Sequence, residues 1–173
     1  PANDLFRRAQ ELAGRGELSA AREQLTQAIH LDGKHAEAHN LLGFMLGQQG
    51  DLLSAVGHLE RAIALRPESA EAHYNLGVIL QELDRPSEAE ARYRHALVLR
   101  PDFAGAHYNL SFTLSNLGDY DGALRATKRA LELDPYYVSQ KFALAIDLQF
   151  ETVSIGIVPE ISADVAAENL GGE

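Results

Sequence analysis

The sequence predicts an all-α fold built by stacking antiparallel helix pairs, followed by a partly extended C-terminal tail. Three observations carry this. Leu and Ala number 26 each, 52 of the 173 residues, against 14 Ile plus Val, a balance that favours helix over sheet. Pro67, Pro101 and Pro135 stand 34 residues apart, as do His39, His73 and His107, so the chain repeats internally. Within each period, apolar residues recur at helical spacing on two segments separated by turn residues.

Counting back from each proline gives four units, residues 2–35, 36–69, 70–103 and 104–137. The first has Gly33 where the others have proline, and Leu5 and Arg8 off the pattern, so it is expected to be a looser end. In the second unit AEAHNLLGFMLGQQG reads as a first helix. Asp51 begins the turn, and LLSAVGHLERAIAL is an amphipathic second helix that stops at Arg66-Pro67. The third and fourth units copy it, except that Thr127 stands where Leu25, Leu59 and Tyr93 stand before it.

Small residues recur for a packing reason. Ala9, Gly43, Gly77 and Ser111 share one place on the first helix, and Ala21, Ala55, Ala89 and Ala123 one place on the second, which lets paired helices approach closely. Leu42, Leu76 and Leu110, with Leu12, Leu46, Leu80 and Leu114, supply the apolar side of the first helices. A single unit is too small to fold alone and stacks on its neighbours.

The segment AEAHYNLGVILQELDRPSEAEARYRHALVLRP resembles a tetratricopeptide repeat at its small, leucine, tyrosine and terminal proline positions, and the resemblance covers residues 2–137. It implies a right-handed superhelical solenoid. The units most resemble those heading O-linked N-acetylglucosamine transferases and many bacterial adaptor proteins. Residues 138–151, VSQKFALAIDLQFE, keep the first-helix pattern and are expected to cap the stack, giving a repeat domain over 2–151. In the tail, 152–173, Val153, Ile155 and Ile157 alternate like a strand, and Ser162 is placed to cap a short helix ending before Gly171.

The formal charge of −10, from 15 Lys plus Arg against 25 Asp plus Glu, argues against a nucleic-acid partner, because the basic residues are not segregated into a patch. Residues 142–173 carry six carboxylates and no basic residue. No apolar stretch reaches membrane-spanning length, so no direct membrane insertion is expected. The absence of cysteine excludes disulfides, Fe–S clusters and a thiol nucleophile. The cytoplasm is the default compartment. The opening PANDLFRRAQ has neither an initiator Met nor a leader pattern, which fits a processed piece of a longer protein.

No metal or other cofactor is expected. His35 and His39 in HAEAH lack the glutamate of a zinc-protease helix, and His39, His73 and His107 fall on successive units, about 10 Å apart. GDYDGAL, with Asp119, Asp121 and Gly122, lacks the later acidic ligands of a calcium loop and reads as an inter-helix turn. No nucleophile with a paired base and no phosphate-cradling glycine loop occurs, so the chain is expected not to be an enzyme.

The resemblance implies a concave surface lined by first helices. Its fifth place gives Phe6, Asn40, Tyr74, Tyr108 and Phe142, and its ninth Gln10, Phe44, Val78, Phe112 and Ile146; six of the chain's twelve Phe plus Tyr lie at these ten places. Asn75 and Asn109 occupy the sixth place, where the transferases use an asparagine ladder to hold a peptide backbone. The basic places of the family's chaperone-tail clamp read Phe6 and Glu37, or Asn40 and Gly105, so chaperone tails are not expected ligands.

These features imply a non-catalytic scaffold or adaptor that binds a protein partner, as a peptide or helix, in its concave groove. Two alternatives stand beside it. In one, the tail, residues 152–170, docks in its own groove or a neighbour's, giving autoinhibition or self-association. In the other, the chain is the recruiting segment of a larger enzyme, such as a glycosyltransferase, or of a membrane assembly.

Overall fold

The computed structural model describes residues 1–136. They form eight helices: α1 (Ala2–Gly14), α2 (Leu18–Leu31), α3 (Ala36–Gln48), α4 (Leu52–Leu65), α5 (Ala70–Glu82), α6 (Pro86–Leu99), α7 (Ala104–Asn116) and α8 (Tyr120–Leu133). The first helices α1, α3, α5 and α7 begin 34 residues apart, and so do the second helices α2, α4, α6 and α8. Each first helix packs most extensively on the second helix that follows it, and each second helix then packs on the next first helix. First helices also touch, α3 with α5 and α5 with α7. This is a helical repeat solenoid. The expected capping helix at 138–151, the strand-like and helical pieces of the tail, Phe142 and Ile146 lie outside the described residues.

Local chemistry sets the boundaries. Within each pair the first helix ends through a residue of positive φ: Gly16, Gly50, Asp84 and Gly118, again 34 apart. Three are the residue that takes this conformation without a Cβ penalty, and Asp84 is the exception at φ 56. The second helices then start from Asp51 and Asp119, whose carboxylates accept from the amides of Ser54 and Gly122, or from Pro86 at the first turn. Arg66 and Arg100 are extended before Pro67 and Pro101, which cannot continue a helix.

One apolar core runs through all four pairs, from Ala9 to Ala126. Leu25, Leu59, Leu76 and Tyr93 are fully buried, each contributing about 1.5–3 kcal/mol relative to exposure. The small places are filled to contact. A Cβ on Gly43 would stand 2.7 Å from Leu59 Cγ, and one on Gly77 would stand 2.7 Å from Tyr93 Cε1.

The last pair departs from the register. In α2, α4 and α6 the buried stripe is Ala21–Leu25–Ala28 and its counterparts, but in α8 it is Gly122, Ala126 and Ala130, while Ala123 and Thr127 are half-buried. The reason is side-chain chemistry. Thr127 brings a hydroxyl where the core wants a large apolar group, and Gly122 and Ala126 are small and apolar where α4 carries Ser54 and His58 and α6 carries Glu88 and Arg92.

Candidate functional site

The expected site residues lie on α1, α3, α5 and α7. Phe44 and Phe112 are each 40% exposed, and Val78 between them in register is half-buried, so α3, α5 and α7 present one apolar residue each at the same place. Phe6, Asn40, Tyr74, Asn75 and Asn109 are half-buried. Tyr108 is 6% exposed and packs edge-on against Phe112, with centroids 4.9 Å apart. Phe6 lies against the His35 ring at 4.9 Å, and Tyr74 lies between Phe103 at 4.7 Å and Tyr93 at 5.9 Å.

The amides make links that sequence reasoning missed. Asn75 Nδ2 donates to Asn40 Oδ1 at 3.0 Å, and Asn109 Nδ2 donates to the Tyr74 hydroxyl at 3.1 Å. In both, the sixth place of one repeat reaches the fifth place of the repeat before it, a relation visible only once the first helices are side by side. Each bond fixes the amide plane and uses one of its two N–H groups, leaving the second N–H and Oδ1 for another partner. Gln81 is a second junction: its Oε1 accepts from the Tyr93 hydroxyl at 3.0 Å and from Thr113 at 3.2 Å, joining α5, α6 and α7.

The recurring histidines serve the stack. His73 Nε2 donates to Pro67 O at 3.0 Å and His107 Nε2 to Pro101 O at 2.9 Å, each tying the start of a first helix to the preceding inter-repeat turn. His39 has Nδ1 at 3.0 Å from His58 Nδ1, one ring donating and the other accepting. His35 caps α3 by accepting from the Ala38 amide. Burial pushes His39, His58 and His73 below the ordinary histidine value, with the neighbouring His58 and His95 adding to this for His39 and His73. Among the described residues, no group of three or more His, Asp or Glu side chains converges to hold a metal ion.

Charge pairs close the open end of two hairpins: Arg66 meets Glu37 at 2.5 Å, and Arg100 meets Glu71 at the same place one repeat on. Partial burial pushes the Glu37 carboxyl up, but hydrogen bonds from its own amide and from Arg66 hold it below the usual value. Arg100 also lies 4.1 Å over the Phe103 ring, which in turn supports Tyr74.

Family models described as tetratricopeptide repeat match residues 6–56, 34–102 and 104–137. The chain belongs to the tetratricopeptide repeat family. A crystal structure of MamA is similar at a TM-score of 0.72 and 26% identity, covering 80% of this chain and 81% of that one. The structure of MamA from residue 41 to its end, from Desulfovibrio magneticus RS-1, is similar at a TM-score of 0.70 and 22% identity, covering 78% and 76%. A MamA structure from AMB-1 is similar at 0.65 and 24%, covering 79% and 74%. No curated protein matches the chain. Tetratricopeptide repeats generally bind protein partners and are typically non-catalytic, and the family and fold support a protein-interaction scaffold. Among the described residues, no helix is long and apolar enough to cross a membrane.

Proposed function

We propose that this tetratricopeptide repeat protein is a non-catalytic adaptor that holds a peptide or helix of its partner on the face made by α3, α5 and α7. The observation that carries this reading is the register of Phe44, Val78 and Phe112 beside the linked amides of Asn40, Asn75 and Asn109. Apolar side chains of the partner would rest against the two phenylalanines, each 40% exposed on a first helix at the same place of its repeat. Asn75 and Asn109, held in plane by the neighbouring repeat, would each offer one N–H and one carbonyl oxygen to a partner's main chain, so grip would not depend on its sequence. Tyr108 has a supporting part, since its ring backs Phe112 and is itself buried.

The test is affinity capture from native extract, comparing wild type with Phe44→Ala plus Phe112→Ala. Both residues are partly exposed, so truncation leaves the core filled. If they anchor a partner, each truncation costs on the order of 2 kcal/mol, roughly thirtyfold in affinity. Loss of captured proteins by a double variant of unchanged helicity supports the reading. Equal capture by both proteins overturns it.

A further inference from the structure

The departure of α8 from the repeat register opens a second site, formed by other residues than the face just described. Between α6, α7 and α8 lies a cavity of about 480 Å³. Its floor is Leu97, Leu110 and Leu114, and its wall is Gly122 and Ala126. On α7 it takes Leu110 and Leu114, whereas the proposed adaptor face takes Phe112; residues two apart on a helix point to nearly opposite sides. Val98, at the cavity's edge, is 78% exposed.

The 34-residue register explains the opening. One repeat earlier the counterparts Leu76 and Leu80 are buried, as Leu110 and Leu114 are, but the places of Gly122 and Ala126 hold Glu88 and Arg92. Those long side chains stand where the last repeat has only a hydrogen and a methyl. The Gly122 amide donates to the Asp119 carboxylate that caps α8.

The rim is basic, against the charge of the whole chain. Arg94, Arg125 and Arg129 all line the cavity, in a protein of formal charge −10. Arg94 pairs with Glu90 at 2.7 Å and Arg129 with Glu132 at 3.1 Å, both within their own helices and both half exposed. Arg125 has no carboxylate partner among the described residues. Exposed intrahelical pairs of this kind are worth a few tenths of a kcal/mol, so their arginines are readily drawn to a better-placed carboxylate.

We propose that this groove is a docking site for a partner protein's acidic amphipathic helix, whose aliphatic side chains fill the leucine floor while its carboxylates meet Arg94, Arg125 and Arg129. An apolar floor with a ring of guanidinium groups complements that chemistry at both levels: burial supplies affinity, and forked donors select carboxylates. Basic or neutral helices would satisfy only the floor. The site and the adaptor face would serve two different partners, or two segments of one.

The test is fluorescence anisotropy of the full chain with a labelled synthetic helical peptide that carries leucines on one side and glutamates flanking them. A second peptide has every Glu replaced by Gln. The expected result is that the acidic peptide binds at least about tenfold more tightly than its Gln counterpart, and that Arg125→Ser plus Arg129→Ser removes that preference. Ala126→Leu, which fills the wall and removes no charge, should weaken the acidic peptide by a similar factor. Phe44→Ala plus Phe112→Ala should leave it unchanged. The proposal is overturned if the two peptides bind equally, if the arginine variant keeps the preference, or if only the phenylalanine variant loses binding; the last result would place the peptide on the adaptor face.

Discussion

Gly77→Ala and Gly57→Ala are the same chemical change in two helices of the stack, and they should have opposite signs. At Gly77 the new methyl would stand 2.7 Å from Tyr93 Cε1, 2.8 Å from Cδ1 and 3.1 Å from Cζ. Carbon atoms rest about 3.5–4.0 Å apart, so the rigid ring has to retreat by about 1 Å. Tyr93 is fully buried, and its hydroxyl donates to Gln81, so the retreat also strains that junction. Overpacking of this kind costs about 1–3 kcal/mol, and alanine's helix propensity returns about 1. The net loss is about 1 kcal/mol. At Gly57, exposed within α4, nothing lies within 4 Å of the new methyl, so only the propensity remains and the gain is about 1 kcal/mol. Urea unfolding followed by far-UV circular dichroism should therefore order the proteins as Gly57→Ala, wild type, Gly77→Ala. A Gly77→Ala protein as stable as the Gly57→Ala protein would refute the close approach of α5 and α6.

Two further outcomes follow from the turns and the histidines. Asp84→Gly should stabilise the fold by about 0.5–1 kcal/mol, raising the thermal midpoint by a few degrees, because it gives the left-handed turn the residue already found at Gly16, Gly50 and Gly118. His39, His58 and His73 have depressed pKa values in the fold, so the unfolded chain binds more protons than the folded one as pH falls below about 6.5. Stability contributed by the neutral rings is present above that value and lost as pH falls through the lower folded values. Thermal midpoints measured between about pH 7.5 and 5 should decline, and less steeply in His39→Gln plus His58→Gln; an equal slope in both proteins would contradict the buried pair.

The helix plan was legible because a 34-residue period fixes every element once one is read, from the prolines that stop the second helices to the small residues at Gly43 and Gly77. Asp51 and Asp119 were legible as turn residues, and both prove to be caps. What the sequence does not carry is the relation between repeats. The Asn75–Asn40 and Asn109–Tyr74 bonds join residues 35 apart, and no local pattern says that their side chains meet. Tyr74 and Tyr108 share one place in the repeat, yet the first is half-buried with Phe103 at its ring and the second is buried with Phe112 at its ring. Thr127 signalled an irregularity in the last pair, but only the three-dimensional stack shows it as a shift of the buried stripe to Gly122 and Ala126 and an opening beside Leu110 and Leu114.

The most direct test of the adaptor reading is calorimetric titration of peptides selected from a random displayed library on the wild-type chain, repeated with Phe44→Ala and Phe112→Ala singly and together. The account predicts that most selected peptides lose on the order of thirtyfold in affinity with at least one of the single variants and bind the double variant weakly or not at all. A selection in which no peptide loses affinity in any of the three variants would contradict it and leave the phenylalanine register without a part in recognition.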